Sequence, residues 1–159
     1  MPIYTPSTRQ AQADVYLGFR VDRAAALVTA ATVPIFTIKG GRVLLTGFLG
    51  EIVVAIAATA TTLQITHLTT DATAVVTPLC IASADIQSMA PGRMFTLPAA
   101  VGSVLTTSVG SSAAVFNAVR YTLKIGNLQL VGSAAPATGT IKWSMWYIPI
   151  DPGAYVEAA

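Results

Sequence analysis

The sequence contains one histidine, His67, and one cysteine, Cys80. A cysteine and a histidine that meet in space can act as nucleophile and base, because the imidazole accepts the thiol proton. Cys80 lies in the apolar run Pro78-Leu79-Cys80-Ile81, which is typical of a small buried side chain. His67 shares the parity of Leu63 and Ile65, which favours a half-buried, hydrogen-bonded histidine at the end of a strand. One Cys and one His do not complete a common Cys/His zinc site. We therefore expect no catalytic residue, no metal site and no cofactor.

The acidic residues are too dispersed for paired carboxylate chemistry. They are Asp14, Asp22, Glu51, Asp71, Asp85, Asp151 and Glu157. No two of them have a spacing that places both on one face of a helix or strand, as general acid and base catalysis requires. Glu51, after Gly50, is expected either to face solvent at a bend or to be buried beside a partner such as Arg42. We interpret Glu51 as a structural residue, and the chain is not expected to be an enzyme.

Charged residues are scarce in this chain. Of its 159 residues, 53% are hydrophobic and only 10% are charged, whereas an average soluble domain has about 25% charged residues. The hydrophobic content excludes a disordered chain, and so few charges leave an isolated monomer poorly solvated. We therefore expect other subunits to cover much of the surface, in a homodimer or homotrimer.

The basic residues are scattered, and the formal net charge is only +2. Because the sequence forms no basic patch, nucleic acid is not an expected partner. The most membrane-like stretch, residues 43–60, contains Glu51, whereas a spanning helix needs about 20 nearly unbroken apolar residues. Membrane insertion is not expected either.

Alternating and β-branched segments predict an all-β fold. The predicted strands cover residues 33–39, a long run from 42 to 56, 63–67, 121–130 and 141–147. Gly40-Gly41 suggests a two-residue hairpin, and Gly47 and Gly50 predict a bulge or bend where a strand changes sheets. Gly126-Asn127 predicts a bulge or a tight turn. Several strands with Gly/Pro turns indicate an antiparallel β-sandwich or jelly-roll-like domain.

The first 32 residues differ from the rest of the chain. Their opening has no clear strand or helix period and no strong core pattern. We interpret residues 1–32 as an extended N-terminal arm that docks on a neighbouring subunit, and residues 33–159 as the β-sandwich domain.

Aromatic and arginine side chains, which protein interfaces enrich, concentrate near both ends of the chain. Trp143 and Tyr147 share one face of the last long predicted strand and are expected in the core, which leaves Trp146 on the opposite face. The residues expected at an interface are Tyr4, Tyr16, Phe19, Arg20, Arg23, Trp146 and Tyr155.

Two segments resemble small virion structural proteins of tailed bacteriophages: residues 36–51 (FTIKGGRVLLTGFLGE) with the Ala/Thr-rich continuation to residue 63, and residues 139–151 (GTIKWSMWYIPID). Among such proteins the capsid decoration or cement class fits best. The resemblance implies a β-sandwich or jelly-roll domain, often a dimer or trimer, that binds the outside of the shell formed by the major capsid protein. It implies no enzyme activity and no cofactor. The implied location is the capsid exterior of the virion, after synthesis in the host cytoplasm.

Two alternatives stay open at this point. The first is a tail or fibre component of the same kind of virion. The second is a carbohydrate-binding adhesion module, in which the aromatic rings of Trp146 and Tyr155 would stack on a sugar.

Overall fold

The chain folds as two packed antiparallel β-sheets. The structure is a computed structural model that describes residues 17–71, 73–108 and 116–159. Within these ranges the strands are β1 (Phe19–Leu27), β2 (Thr32–Lys39), β3 (Val43–Val54), β4 (Leu63–Thr69), β5 (Val76–Pro78), β6 (Met94–Thr96), β7 (Thr106–Thr107), β8 (Phe116–Leu123), β9 (Gly126–Gly132), β10 (Thr140–Pro149) and β11 (Tyr155–Ala158).

The strand order gives the fold its type. One sheet has the order β1-β10-β3-β6-β7, with β8 also paired to β3, and the other has the order β11-β2-β9-β4-β5. The antiparallel pairs β1·β10, β2·β9, β3·β8 and β4·β5 are therefore nested inside one another along the chain. Nested pairs divided between two facing sheets are the arrangement of a jelly roll. The prediction of an all-β sandwich of jelly-roll type is confirmed.

The core lies between the two sheets and contains an aromatic cluster. The ring of Trp143 packs against Phe48, with centroids 5.2 Å apart, and against Phe95, with centroids 6.1 Å apart. Phe36 of the other sheet meets Phe48 edge to face. Trp143 and Tyr147 are both buried, so the core position predicted for these two residues is confirmed.

Gly40 and Gly41 form a corner between the sheets. The predicted hairpin is wrong, because β2 pairs with β9 and β11 whereas β3 pairs with β10, β8 and β6. Both glycines do have positive φ angles, 73° and 153°, which disfavour residues with a Cβ atom. A Cβ at Gly40 would also lie 2.2 Å from the carbonyl oxygen of Gly153. The sequence signal for a tight turn was therefore correct, but it did not show which strands the turn connects.

Strand β3 contains the predicted bulge but does not change sheets. Leu45 pairs with Tyr147 and Gly47 pairs with Trp146, so Thr46 has no register partner on β10. All twelve residues of β3 nevertheless stay in one sheet. The predicted turn near Gly126 is confirmed as the short connection from β8 to β9, which lie in different sheets.

The sandwich begins earlier than the sequence indicated. The expected arm, residues 1–32, includes β1, which pairs with β10 along its length and forms the edge of its sheet. The pattern concealed this strand because its register shifts between Arg23 and Ala26, which interrupts the alternation of side chains. Residues 1–16 of the expected arm lie outside the described residues.

Candidate functional site

An open cleft lies between the sheets at the edge formed by β4, β5 and β8. Its lining consists of every second residue from His67 to Leu79, together with residues 121–124 at the end of β8, and its volume is about 590 Å³. Alternate residues of a strand share one face. The face that places Leu63 and Ile65 in the core therefore continues into the cleft. We call this hollow the β4–β8 cleft.

The inward face of β4 changes from apolar to polar where the cleft begins. Leu63 and Ile65 are fully buried, whereas the next residues of the same parity are His67, Thr69 and Asp71. An inward-facing sandwich position is normally apolar because an unpaired polar group buried there is costly. This end of the sandwich therefore presents polar groups to an open hollow instead of closing into core.

His67 holds a defined tautomer at the floor of the cleft. Its Nε2 atom lies 3.1 Å from the backbone carbonyl oxygen of Lys124. Because a carbonyl oxygen can only accept, Nε2–H donates, and the neutral ring leaves Nδ1 as an acceptor. Burial lowers the pKa of His67, although the Lys124 carbonyl and Asp71 act in the opposite direction. The ring is therefore neutral at pH 7. The prediction of a hydrogen-bonded histidine is confirmed, but the residue is buried and not half-buried.

Asp71 and Lys124 form an ion pair that lines the cleft. Their Oδ2 and Nζ atoms are 3.5 Å apart, and the side chains are 40% and 63% exposed, respectively. The same two residues line a smaller neighbouring hollow of about 200 Å³, which includes Arg42 and Asp151. In that hollow too, the cation is paired, because the Arg42 guanidinium binds both carboxylate oxygens of Asp151. Both hollows are therefore close to electrically neutral.

The threonines of the cleft divide into two groups. The Thr69 hydroxyl donates to the carbonyl oxygen of Thr73 and accepts from the N–H of Val75, so it holds the loop between β4 and β5. Within the described ranges, the hydroxyls of Thr73 and Thr77 form no hydrogen bond, and both are available to a ligand. Thr122 has the opposite parity to the inward-facing Tyr121 and Leu123 of β8.

Cys80 and His67 do not form a nucleophile and base pair. The Cys80 sulfur is buried and accepts a hydrogen bond from the N–H of Ile65, and His67 is bonded to Lys124. Burial raises the pKa of the Cys80 thiol, so it remains protonated at neutral pH. The interpretation of Cys80 as a small buried side chain is confirmed.

The described carboxylates are all engaged locally. Five form ion pairs: Asp22 with Arg20, Glu51 with Lys142, Asp71 with Lys124, Asp151 with Arg42, and Glu157 with Lys39. Asp85 instead accepts hydrogen bonds from the backbone N–H groups of Thr61 and Gln87. The suggested partner of Glu51 is wrong, because the register of β3 and β10 places Lys142 directly opposite Glu51 and Arg42 belongs to Asp151.

Four predicted interface residues lie on the paired strands β1 and β10 at the edge of the sandwich, and we call them the β1–β10 strip: Phe19, Arg20, Arg23 and Trp146. Arg20 and Trp146 share one face of these strands, whereas Phe19 and Arg23 lie on the other face, opposite the buried Tyr147 and Trp143. Arg20 and Trp146 are register partners, and the guanidinium lies 5.2 Å from the centre of the indole ring. Phe19 is 58% exposed and packs on the ring of Tyr147. The guanidinium of Arg23 donates to the carbonyl oxygen of Ala159 and so ties β1 to the end of the other sheet.

A polar network fixes Arg20 over the indole ring. Asp22 accepts hydrogen bonds from Arg20 at 2.8 Å and from Ser144 at 2.6 Å. Burial raises the pKa of Asp22, but these two hydrogen bonds outweigh it, and the pKa lies below its ordinary value. The carboxylate therefore stays ionised and holds the guanidinium in place.

The remaining predicted interface residues are separate from this strip. Tyr155 lies on β11 in the other sheet, opposite Lys39, so it does not share a face with Trp146 as a joint sugar platform would require. Tyr4 and Tyr16 lie outside the described residues. Sequence reasoning missed the β4–β8 cleft, and the signal that marked it was the change from Leu63 and Ile65 to polar residues at the same parity.

No protein-family model, no curated protein and no solved structure matches this chain. Across the described ranges, no helix has the length and apolar character needed to cross a membrane. The same ranges contain no cluster of three or more His, Cys, Asp or Glu side chains arranged to bind a metal.

Proposed function

We propose that this chain is a capsid decoration protein of a tailed bacteriophage, which binds the outer surface of the head and stabilises contacts between major capsid protein subunits. The observation that carries the proposal is the β1–β10 strip. It combines an exposed phenylalanine with an arginine held on a tryptophan, at the edge of a jelly-roll sandwich. Jelly rolls serve many functions, among them virion assembly, so the fold alone does not decide the function.

The side chains of the strip are suited to a protein interface. Aromatic residues and arginine are enriched in interface hot spots because they contribute a large contact area with few flexible torsions. Arg20 is already oriented by Asp22 and Ser144, so binding would cost little of its conformational entropy. Within the described ranges, β1 pairs with β10 alone, so its other edge presents backbone groups to which a partner can hydrogen-bond.

The pairing of charges across the described surface also favours association. Five of the described acidic residues are neutralised by a cation within the same chain. An ion pair presents a dipole instead of a net charge, so covering it costs less free energy than covering an isolated charge. A surface of this kind can be covered by a neighbouring subunit without separate counter-ions.

The proposed mechanism assigns different roles to the two parts of the chain. The sandwich forms the homodimer or homotrimer and contacts the shell through the strip. The N-terminal arm that the sequence predicts, of which residues 1–16 lie outside the described residues, is proposed to contact an adjacent copy or the major capsid protein. Several copies bound around one symmetry axis increase avidity even where each contact is weak, and binding to the assembled shell stabilises that shell by mass action.

The test is co-sedimentation of the purified chain with empty heads of the phage that carries its gene, after its mass has been measured by light scattering. A dimer or trimer that pellets with heads supports the proposal. Tubes or rings that leave heads unoccupied would contradict it and assign the chain to the tail or fibre. A monomer that neither assembles nor binds heads would also contradict it.

Paired variants locate the contact. Phe19→Ser removes the exposed ring of the strip, and we expect head binding to fall about ten-fold, since an interface hot spot contributes more than about 1 kcal/mol. Val101→Ser is the control, because Val101 is 70% exposed and lies outside the strip. Equal head binding by both variants and the unmodified chain would exclude the strip as the contact.

A further inference from the structure

We propose that the β4–β8 cleft binds one ring of a neutral saccharide. This inference goes beyond the proposed function and does not depend on it, because the cleft lies at the β5 and β8 edge of the sandwich and the β1–β10 strip lies at the edge that carries β1. It also differs from the alternative that placed a sugar on Trp146 and Tyr155, neither of which lines the cleft.

The position and size of the cleft are those of a small-molecule site. It is formed where the two sheets separate, and its volume of about 590 Å³ lies within the range of about 300–1,000 Å³ typical of such sites. Residues of β4, of β5 and of the end of β8 line it, so two sheets fix its walls. A site supported by paired strands is more rigid than one carried by a loop alone.

The polar groups of the cleft match hydroxyl groups in both hydrogen-bonding roles. The free hydroxyls of Thr73 and Thr77 can each donate and accept, as a sugar hydroxyl does. The Nδ1 atom of His67 accepts, because its partner nitrogen donates to the Lys124 carbonyl. In the absence of ligand these groups face water, and a sugar hydroxyl replaces that water with little change in the number of hydrogen bonds.

Apolar surface lies between these polar groups. Val75, Leu79 and Leu123 line the same cleft, together with the ring of Tyr121. The Tyr121 hydroxyl donates to the carbonyl oxygen of Leu79 at 2.8 Å, which fixes the ring in place. A pyranose has apolar C–H faces and polar edges, so a wall of alternating apolar and hydroxyl side chains is complementary to it.

The charge of the cleft favours a neutral ligand over an anion. Lys124 is the cation among its lining residues, and Asp71 neutralises it at 3.5 Å. A phosphate or carboxylate would have to compete with Asp71 for this ammonium group and would face the Asp71 charge at close range. Uncharged hydroxyls meet neither penalty.

The experiment is a titration of the isotope-labelled full chain, followed by amide ¹H–¹⁵N NMR spectra. The probes are the methyl glycosides of glucose, galactose, mannose and N-acetylglucosamine, a maltohexaose chain, and glucuronic acid as the anionic comparison. We expect at least one neutral glycoside or the maltohexaose to shift amide signals of residues that line the cleft, and glucuronic acid to bind more weakly than that ligand. Binding of a methyl glycoside would show that the cleft takes a monosaccharide or the end of a sugar chain. Binding of maltohexaose alone would show that it takes an internal ring of a chain, and either result supports the inference.

Matched variants separate binding from folding. Thr73→Val and Thr77→Val each remove one free hydroxyl with little change of shape, and we expect each to weaken binding roughly three- to ten-fold, the effect of one lost hydrogen bond. Thr70→Val is the control, because Thr70 is exposed in the same hairpin and does not line the cleft. Asp71→Asn frees the Lys124 charge and is expected to improve binding of glucuronic acid.

Three results would overturn the inference. One is the absence of cleft signal shifts with every neutral probe at tens of millimolar. Another is tighter binding of glucuronic acid than of every neutral probe by the unmodified chain. The third is equal affinity of Thr73→Val, Thr77→Val and Thr70→Val for a bound glycoside. The amide spectrum of each free variant reports whether it is folded.

Discussion

At the scale of single residues, Gly50 and Trp143 decide how the core closes. They are register partners on β3 and β10, and both lie on the inward face. A Cβ atom at Gly50 would lie 2.3 Å from the Trp143 ring, which is far inside van der Waals contact. The indole therefore occupies the space that any larger residue at position 50 would need.

We predict that Gly50→Ala lowers the free energy of unfolding by about 1–3 kcal/mol, the usual cost of overpacking a core. Urea unfolding followed by Trp fluorescence measures the change. The control is a double-mutant cycle with Trp143→Phe, because the smaller ring leaves space for the added methyl group. If the two substitutions add without coupling, the steric explanation is wrong.

At the scale of elements, β1 is the first strand of the described residues and forms the edge of its sheet. It covers the hydrogen-bonding edge of β10 and carries the strip residues Phe19, Arg20 and Arg23. Through Arg23 it also reaches the carbonyl oxygen of Ala159 beyond β11. Deleting a paired strand leaves the backbone N–H and C=O groups of its neighbour without partners, whereas deleting an arm outside the sheet does not.

We predict that a chain lacking residues 1–16 keeps the cooperative thermal transition of the full chain, whereas a chain lacking residues 1–32 aggregates or loses that transition. The shorter deletion retains every pairing between β1 and β10, and the longer one exposes the edge of β10. Circular dichroism melting and light scattering measure both. A folded, soluble chain lacking residues 1–32 would show that β1 is dispensable. The shorter deletion also tests the proposed arm: it is expected to bind heads more weakly.

At the scale of the whole molecule, two polar contacts fix one end of the sandwich, and the second of them joins the two sheets. The Arg42 guanidinium binds Asp151 after β10, and the backbone N–H of Arg42 donates to the same carboxylate at 2.7 Å. The Nε2–H group of His67 on β4 donates to the backbone carbonyl oxygen of Lys124, which follows β8 of the other sheet. Both contacts involve titratable groups, so the stability of the sandwich depends on pH.

We predict that Asp151→Asn lowers the melting temperature at pH 7 and that this difference disappears as the pH approaches 2. Hydrogen bonds from the Arg42 side chain and backbone lower the pKa of Asp151 from 3.8 to about 2. Because the pKa of this carboxyl group is lower in the folded chain than in the unfolded chain, its ionised form stabilises the folded state. The stabilisation is complete above pH 3.8 and is lost as the pH falls through about 2. Thermal melts of both chains across this range provide the measurement. A constant difference down to pH 2 would contradict the assignment.

We predict a second pH effect from His67. Burial lowers its pKa from the ordinary 6.5, so the unfolded chain binds a proton before the folded chain does, and stability falls as the pH drops below about 6.5. His67→Gln keeps a donor for the Lys124 carbonyl but does not titrate, and its stability is expected to be flat between pH 7 and 5. Asp71, Tyr121 and Lys124, the other titratable groups lining the cleft, are the same in both chains. Parallel slopes for the two chains would exclude His67 as the cause.

The sequence determined the fold class and most of the long strands, although not β1, because side-chain alternation is local. Ile141, Trp143, Met145 and Tyr147 lie in the core as their pattern predicts, although Ser144 of the opposite parity is buried as well. The glycine pair at 40 and 41 marks a real turn. Arg20 and Trp146, each predicted at an interface from its chemical type alone, are register partners on β1 and β10. What the sequence did not determine was pairing between distant segments. The alternation in β3 is the same whether its neighbour is β2 or β10, so the predicted hairpin at Gly40-Gly41 was wrong.

Only the tertiary structure decided the register between strands and the position of the open end of the sandwich. The register between β3 and β10 places Lys142 opposite Glu51 and packs the Trp143 ring against Gly50. Because the two sheets separate beside β8, His67 and the threonines that share its face line a cleft. A run of polar residues at inward positions occurs both where the end of a strand is exposed to solvent and where it forms the wall of a cleft, so the sequence does not distinguish the two. That distinction depends on where the opposite sheet ends, which is a property of the packed molecule and not of either segment.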